Sequence, residues 1–239
     1  MTWSIVAFDR KTGAFGVTVF TQAFACGGFM PWVRAQVGAV CSQSLTNPYL
    51  GPAVLDGMAR GLSPRLAIDA AVAGDEGREV RQIHAVDRHG RFAAWTGRHC
   101  VDWAGSVGED GVSVAGNMLS NDRVAQATLD GYNADRDAAL PERMMAALDG
   151  GEAAGGDRRG RQSGAMLMAT MEDFPELNLR VDSHAEPFVE MRRLLNIWRT
   201  TRAPFIGNSP SKANPAGVHD LDTVEANWAK QGLNLRFRR

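Results

Sequence analysis

The chain opens on two strand-length runs, SIVAFD (4–9) and AFGVTVF (14–20), rich in β-branched and aromatic residues and joined by Arg10-Lys11-Thr12-Gly13. Such runs around a short glycine-containing turn read as a β-hairpin, so an antiparallel pair forms at the very start. The same logic recurs downstream. WVRAQVGAVCSQS (32–44) carries an apolar run at Val37–Cys41 that reads as a buried strand, and VRQIHAVDRHGRFAAWTG (80–97) reads as a second hairpin turned at Arg88-His89-Gly90. GVSVAGNML (111–119), QSGAMLMAT (162–170) and LNLRVD (177–182) are further strand candidates.

Between these runs the period changes to that of helices. Leu50, Val54, Leu55 and Met58 share a helical face. Ser63-Pro64 offers an N-cap followed by proline at the first position. Asn121 and Asp122 can cap a helix over 123–133, and Leu140-Pro141 starts one through Leu148 that the Gly150-Gly151 pair is expected to break. Phe188, Met191, Leu194, Leu195 and Trp198 form an apolar stripe over 186–200, with core packing as its simplest role. Hairpins alternating with helix pairs predict antiparallel sheets covered by helices, not a doubly wound parallel fold. After Pro204 the composition turns to Pro, Asn, Gly and Ser, an irregular stretch before a short helix at 220–231. The expected organisation is one domain over 1–202 and a partly irregular C-terminal extension over 203–239.

A formal net charge of −1 gives no field for nucleic acid or a membrane surface. No run of 18 apolar residues exists, and MTWSIVAFDR lacks the apolar core of a signal peptide, so the expected location is the cytoplasm. Cys26, Cys41 and Cys100 form no CxxC pair and suggest no disulfide framework, and Cys26 and Cys41 read as small buried hydrophobes. The five histidines make no HxH, HExxH or HxxxH spacing, and neither GxSxG, GxGxxG nor GxxxxGK[ST] occurs. No metal and no cofactor is therefore expected.

What remains is polar residues where strands begin and end. Thr2 and Ser4 open the first strand; Gln43, Thr46 and Asn47 close the third; Asn117 follows a glycine at the end of a later one. Asp157, Arg158, Arg159, Gln162 and Ser163 lie in GGDRRGRQSGAM, where an acid–arginine run leads directly into an apolar strand. Each alone is a turn or cap residue. Together they set hydroxyls, amides and a charged cluster at strand ends, where sites on a rigid sheet are built.

Four stretches, MTWSIVAFDRKTGAFGV, VGAVCSQSLTNPYLGP, Gly116-Asn117 and GGDRRGRQSGAM, resemble the bacterial and archaeal family called domain of unknown function 1028. The likeness spans about residues 1–200, and GGDRRGRQS is its most specific part. That family is grouped by fold with the N-terminal nucleophile (Ntn) hydrolases. The resemblance therefore implies an α+β, four-layer αββα sandwich of two antiparallel sheets flanked by helices, in a family that often forms homo-oligomers, here a dimer.

It also implies a chemistry. In such enzymes the first residue of the mature chain attacks an amide, with its own α-amine as general base. An α-amine titrates near ~7.7–8.0, so no partner histidine is required. On that pattern Thr2, once Met1 is removed, is the nucleophile, with Ser4 next in line. Backbone amides near Gln43–Ser44 or the Asn117 side chain would stabilise the oxyanion. Arg34 would take the electrostatic role of the basic residue on the third strand of proteasome-like sites, where lysine is usual. Asp157 would pair with Arg158 or Arg159, leaving a guanidinium for a substrate carboxylate, with Asn47, Gln162 and Ser163 nearby. A retained Met1 would block this mechanism. The expectation is an amidohydrolase acting on a small amide or peptide-like substrate. The alternative is a non-catalytic binding or assembly protein whose arginine loop holds an acidic ligand, staples the loop or forms an interface.

Overall fold

In the computed structural model of the protein, which describes residues 2–237, β1 (Thr2–Asp9) and β2 (Ala14–Thr21) pair antiparallel from Thr2↔Thr21 to Asp9↔Ala14. Gly13, at φ 77°, closes the turn in a backbone region that L side chains rarely adopt. β1 is an interior strand. Its other neighbour is β8 (Val112–Asn117), in the register Thr2↔Asn117 and Ser4↔Ala115. With β7 (Gly105–Glu109), β9 (Ser163–Ala169) and β10 (Leu177–Val181), these make a six-stranded sheet in the order β10-β9-β2-β1-β8-β7. A second, four-stranded sheet has the order β3-β4-β5-β6, from β3 (Pro31–Arg34), β4 (Gly38–Ser44), β5 (Arg81–Asp87) and β6 (Phe92–Thr96).

The period of two along β1 decides what each face meets. Trp3 points to the helical side, its ring tilted against Phe188 at 5.8 Å between centroids and lying close to Gly151. Ser4 points to the other sheet, where it bonds Gln43 and His84. The two sheets thus face each other. Away from the β1 start their shared layer is apolar, with Val6, Phe15, Val17, Val19, Met30, Ala39, Cys41 and Val86 in one buried cluster. α1 (Leu50–Ala59) and α2 (Pro64–Ala73) cover the four-stranded sheet, packing Val54, Leu55 and Ile68 on Val40, Ile83 and Ala85. The Ser63 hydroxyl accepts from Leu66 N at 3.4 Å and caps α2. α3 (Arg123–Asn133) and α4 (Leu140–Ala153) lie on the six-stranded sheet. The molecule is therefore α+β with two antiparallel sheets and helices on their outer faces.

Two local expectations change. α4 runs unbroken through Gly150 and Gly151, because those glycines are where it meets α3. A Cβ on Gly150 would sit 2.4 Å from Ala127 O, and one on Gly151 2.3 Å from Thr128 Oγ1. Close helix packing outweighs the propensity cost of glycine, about 1 kcal/mol each. The other change is β7, GSVGE, which carries too little strand character to be read from sequence. Pairing with β8 around the Gly111 turn creates it.

By contacts the chain divides into two units, one ending at Met191 and one starting at Arg192. In the second, α7 (Leu221–Lys230) is capped by Asp220, whose carboxylate accepts from Thr223 N at 2.9 Å. The Trp228 ring of α7 lies 4.6 Å from Phe205 and 5.2 Å from Phe237. Among the described residues no helix is long and apolar enough to cross a membrane.

Candidate active site

Register fixes one transverse row across four neighbouring strands of the larger sheet. Ser163 of β9 pairs with Thr21 of β2, Thr21 with Thr2 of β1, and Thr2 with Asn117 of β8. All four are polar, and they stand at the ends of the sheet's four inner strands. The Thr2 hydroxyl donates to Thr21 Oγ1 at 3.0 Å. Beside this row opens a cavity of ≈ 300 Å³ lined by Thr2, Thr21, Asn117 and Arg159, with Met30, Ser44, Leu45, Val80, His99, Val101 and Met118 among its walls. Thr2 is only 2% exposed, so it sits at the floor and not the rim.

Two wall residues are conformationally expensive. Ser44 (φ 70°) and Met118 (φ 54°) occupy the left-handed region without being glycine. Each is held there by its surroundings: Leu45 N donates to Val80 O at 3.2 Å, and Met118 N to Val101 O at 2.7 Å. Strain of this kind, of order 1–3 kcal/mol per residue, gathers at functional sites.

Behind Asn117 a buried polar chain runs between the sheets, and main-chain carbonyls orient every amide in it. Gln82 Nε2 faces Gly116 O (2.8 Å), Gly105 O (3.2 Å) and Thr96 Oγ1 (3.0 Å). Carbonyls only accept, so Gln82 Oε1 must point the other way. There it receives Asn117 Nδ2 at 2.9 Å and Gln43 Nε2 at 2.8 Å. Gln43 Nε2 also donates to Ala115 O at 3.1 Å, which leaves Gln43 Oε1 to accept the Ser4 hydroxyl at 2.6 Å. Ser4 has then used its one hydrogen, so His84 Nε2, 2.8 Å away, is the donor. His84 Nδ1 accepts from Ser113 Oγ at 3.1 Å. The assignment needs a neutral ring, and burial pushes the His84 pKa down to about 3.

The acid–arginine loop divides its work. Asp157 is buried, with a side chain 0% exposed. Its Oδ1 accepts from Arg159 N at 2.8 Å, and among the described residues its Oδ2 has no hydrogen-bond partner. Burial raises its pKa above the ordinary carboxylate value, against the lowering effect of the Arg159 N–H and guanidinium. Arg159 Nη2 lies 3.7 Å from Asp157 Oδ2, and Arg159 reaches the cavity. Arg161 ties the loop down instead, 2.6 Å from Glu152, 3.5 Å from Glu186 and 5.5 Å from the Phe188 ring centre. Arg158 is exposed.

The other expected residues fall elsewhere. Ser4 and Gln43 belong to the buried chain; the Ser4 hydroxyl is sealed between the sheets, where an incoming amide cannot meet it. The Ser163 hydroxyl donates to Ala23 O at 2.6 Å and accepts from Cys26 N at 3.2 Å, fixing the loop after β2. Gln162 Nε2 bonds Ser183 Oγ at 3.1 Å. Asn47 bridges Asp75 (2.9 Å) and Tyr49 N (3.0 Å), a turn residue away from the cavity. Arg34 pairs with Asp56 at 2.8 Å and lines a separate depression of ≈ 400 Å³ with Leu167 and Phe174. Met1 lies outside the described residues. Cys26 and Cys41 are buried thiols, pushed up by burial to about 11 and about 12.

Fold and site together define an α+β protein with two facing antiparallel sheets and a small polar-floored cavity at the head of its first strand. Residues 2–191 match the family of unknown function DUF1028, and the chain belongs to that family. Among solved structures it is similar to protein SPO2555 from Silicibacter pomeroyi, of the same family, at 30% identity and a TM-score of 0.85, covering 92% of this chain and 96% of that one. It has a lesser similarity to Anbu (ancestral beta-subunit) from Yersinia bercovieri, at 8% identity and a TM-score of 0.39, over 87% of this chain and 98% of that one. Comparison with the curated proteins finds no match.

Proposed function

We propose that the protein is an amidohydrolase of the N-terminal nucleophile type, with Thr2 as the attacking residue. One observation carries this reading: Thr2 and Asn117, register partners on adjacent strands, open on one ≈ 300 Å³ cavity that Arg159 also reaches. In a chain beginning at Thr2, the α-amine takes the Oγ1 proton as Oγ1 adds to the amide carbon. The C–N bond breaks, the amine leaves with that proton, and water then cleaves the threonyl ester to a carboxylic acid and the free hydroxyl. Asn117 spends one amide N–H on Gln82, so its second N–H is available to an oxyanion. One such donor is commonly worth about 3 kcal/mol of barrier. A homodimer around this site belongs to the same reading.

The test is covalent. Purified protein is incubated with a β-lactone that acylates N-terminal threonine, and the adduct is mapped by mass spectrometry. A single adduct on Thr2, with Met1 absent and no adduct in Thr2→Ala, is the expected result. Amide hydrolysis by protein that retains Met1 would overturn it. The burial of Thr2 and its bond to Thr21 favour a second reading, a binding protein on the same scaffold. That reading expects ligand binding to survive Thr2→Ala and no adduct in either protein.

A further inference from the structure

We infer that the cavity takes a small amide bearing a free carboxylate and one short aliphatic group, of the size of an N-acyl amino acid; as a substrate assignment this rests on the reading of Thr2 above. Three properties of the cavity set the class. Its volume, ≈ 300 Å³, is roughly that of ten water molecules at about 30 Å³ each. The part of a ligand held inside is therefore about the size of one residue.

Charge sets the second property. Among the described residues, the ionisable side chains on the lining are Arg159 and His99, with no Asp or Glu. Asp157, whose side chain is buried, is the ion-pair partner of Arg159 and not part of the lining. The Arg159 side chain is 42% exposed, and a guanidinium has five N–H donors in a planar fork. It can meet Asp157 on one edge and grip a ligand carboxylate with another. A cationic ligand would find no acidic side chain among the described residues of the lining.

The third is the division of the walls. Thr2, Thr21 and Asn117 make one polar floor, where an amide finds a hydroxyl and an amide N–H. Leu45, Val80, Val101 and Met118 add apolar lining to the same cavity. Leu45 and Val101 are 65% and 45% exposed. Covering such side chains with an aliphatic group gains about 25 cal/mol per Å² of apolar surface removed from water. The ligand that satisfies floor, wall and arginine at once is short, aliphatic and anionic.

The test is a calorimetric titration of full-length Thr2→Ala protein, which cannot turn the probe over. The probes are N-acetyl-L-leucine and its neutral carboxamide, N-acetyl-L-leucinamide. The acid should bind at least tenfold more tightly than the amide. Arg159→Gln should erase that preference, while Arg159→Lys, which keeps the charge without the fork, should keep part of it. Equal binding of the two probes, or no binding of either at millimolar concentration, overturns the inference. Labelling of Thr2 in the wild type without an acid preference sinks the ligand class and leaves the nucleophile standing. An acid preference without labelling keeps the ligand class and removes the nucleophile.

Discussion

Asn117 of the six-stranded sheet donates from Nδ2 to Gln82 Oε1 of the four-stranded sheet at 2.9 Å. This cross-sheet bond couples a residue on the cavity floor to a buried chain that reaches Ser4 and His84. The orientation of the Asn117 amide is thereby set by Gly105 O and Gly116 O, through Gln82. A site residue whose donor direction is fixed before a ligand arrives has no reorientation to undergo on binding.

Gln82→Leu removes the hub of that chain. Asn117 Nδ2, Gln43 Nε2 and Gly116 O each lose a buried partner. At about 1–3 kcal/mol for each orphaned buried group, and with Gln43 retaining Ala115 O, the expected destabilisation is about 4 kcal/mol. Urea unfolding monitored by tryptophan fluorescence measures it; a loss below about 1 kcal/mol would show that the chain is not holding the sheets.

His84 makes stability fall in acid. Its folded pKa is about 3 against an ordinary 6.5, so between those values the unfolded chain binds a proton that the folded protein refuses. Folding therefore weakens as pH drops from 6.5 and levels off near 3. The full effect is bounded by about 5 kcal/mol. Burial raises the pKa of Asp157 and Glu152, which pulls the opposite way, because those folded states bind protons more readily. Comparing the urea midpoints of wild type and His84→Gln from pH 7 to 4 isolates the histidine. The variant should lose the downward slope that the wild type shows.

Why the sequence exposes some of this and hides the rest follows from what period and propensity encode. The opening hairpin, the Ser63-Pro64 helix start and the strand over 163–169 are local, and local pattern shows them. β7 depends on a neighbour and is invisible alone. Gln82 and His84 alternate with Ile83 and Ala85, a pattern that ordinarily marks a strand's solvent face. Here Ile83 and Ala85 pack on helices, so the polar residues turn inward to the second sheet. Only the stacking of two sheets reveals that. Thr2, Asn117 and Arg159 were readable as strand-end and loop polar residues; that they share one cavity is a fact of register. Arg34 and Asn47 have the same residue chemistry, yet neighbouring acids, Asp56 and Asp75, hold them elsewhere.

Gly151→Ala tests the α3–α4 contact. In an isolated helix the change would stabilise by up to about 1 kcal/mol. Here the new methyl would lie 2.3 Å from Thr128 Oγ1 and 3.0 Å from Trp3 Nε1, so the helix must shift. The expected result is a net loss of about 1–3 kcal/mol, read as a lower thermal midpoint. Gly61→Ala would not be a fair control, because Gly61 sits at φ 95°. Gly74→Ala is one: nothing lies within 4 Å of its added Cβ and its φ is −88°.

Asn117→Asp is the sharpest probe of the network, because it alters one atom's hydrogen-bonding sense with little change of shape. The carboxylate would place an acceptor 2.9 Å from Gln82 Oε1, which is itself an acceptor. Gln82 cannot turn its amide to help without giving up Gly105 O and Gly116 O. The new carboxyl is therefore buried beside a group that repels its charged form, and its folded pKa must rise above the ordinary ~3.9. A raised carboxyl pKa means the folded state binds the proton first, so the penalty is largest at neutral pH and fades as pH falls through the raised value. About 2–3 kcal/mol of destabilisation at pH 8, shrinking relative to wild type by pH 5, is expected from paired urea titrations. A pH-independent difference between the two proteins would mean that Asn117 does not face Gln82 through its nitrogen.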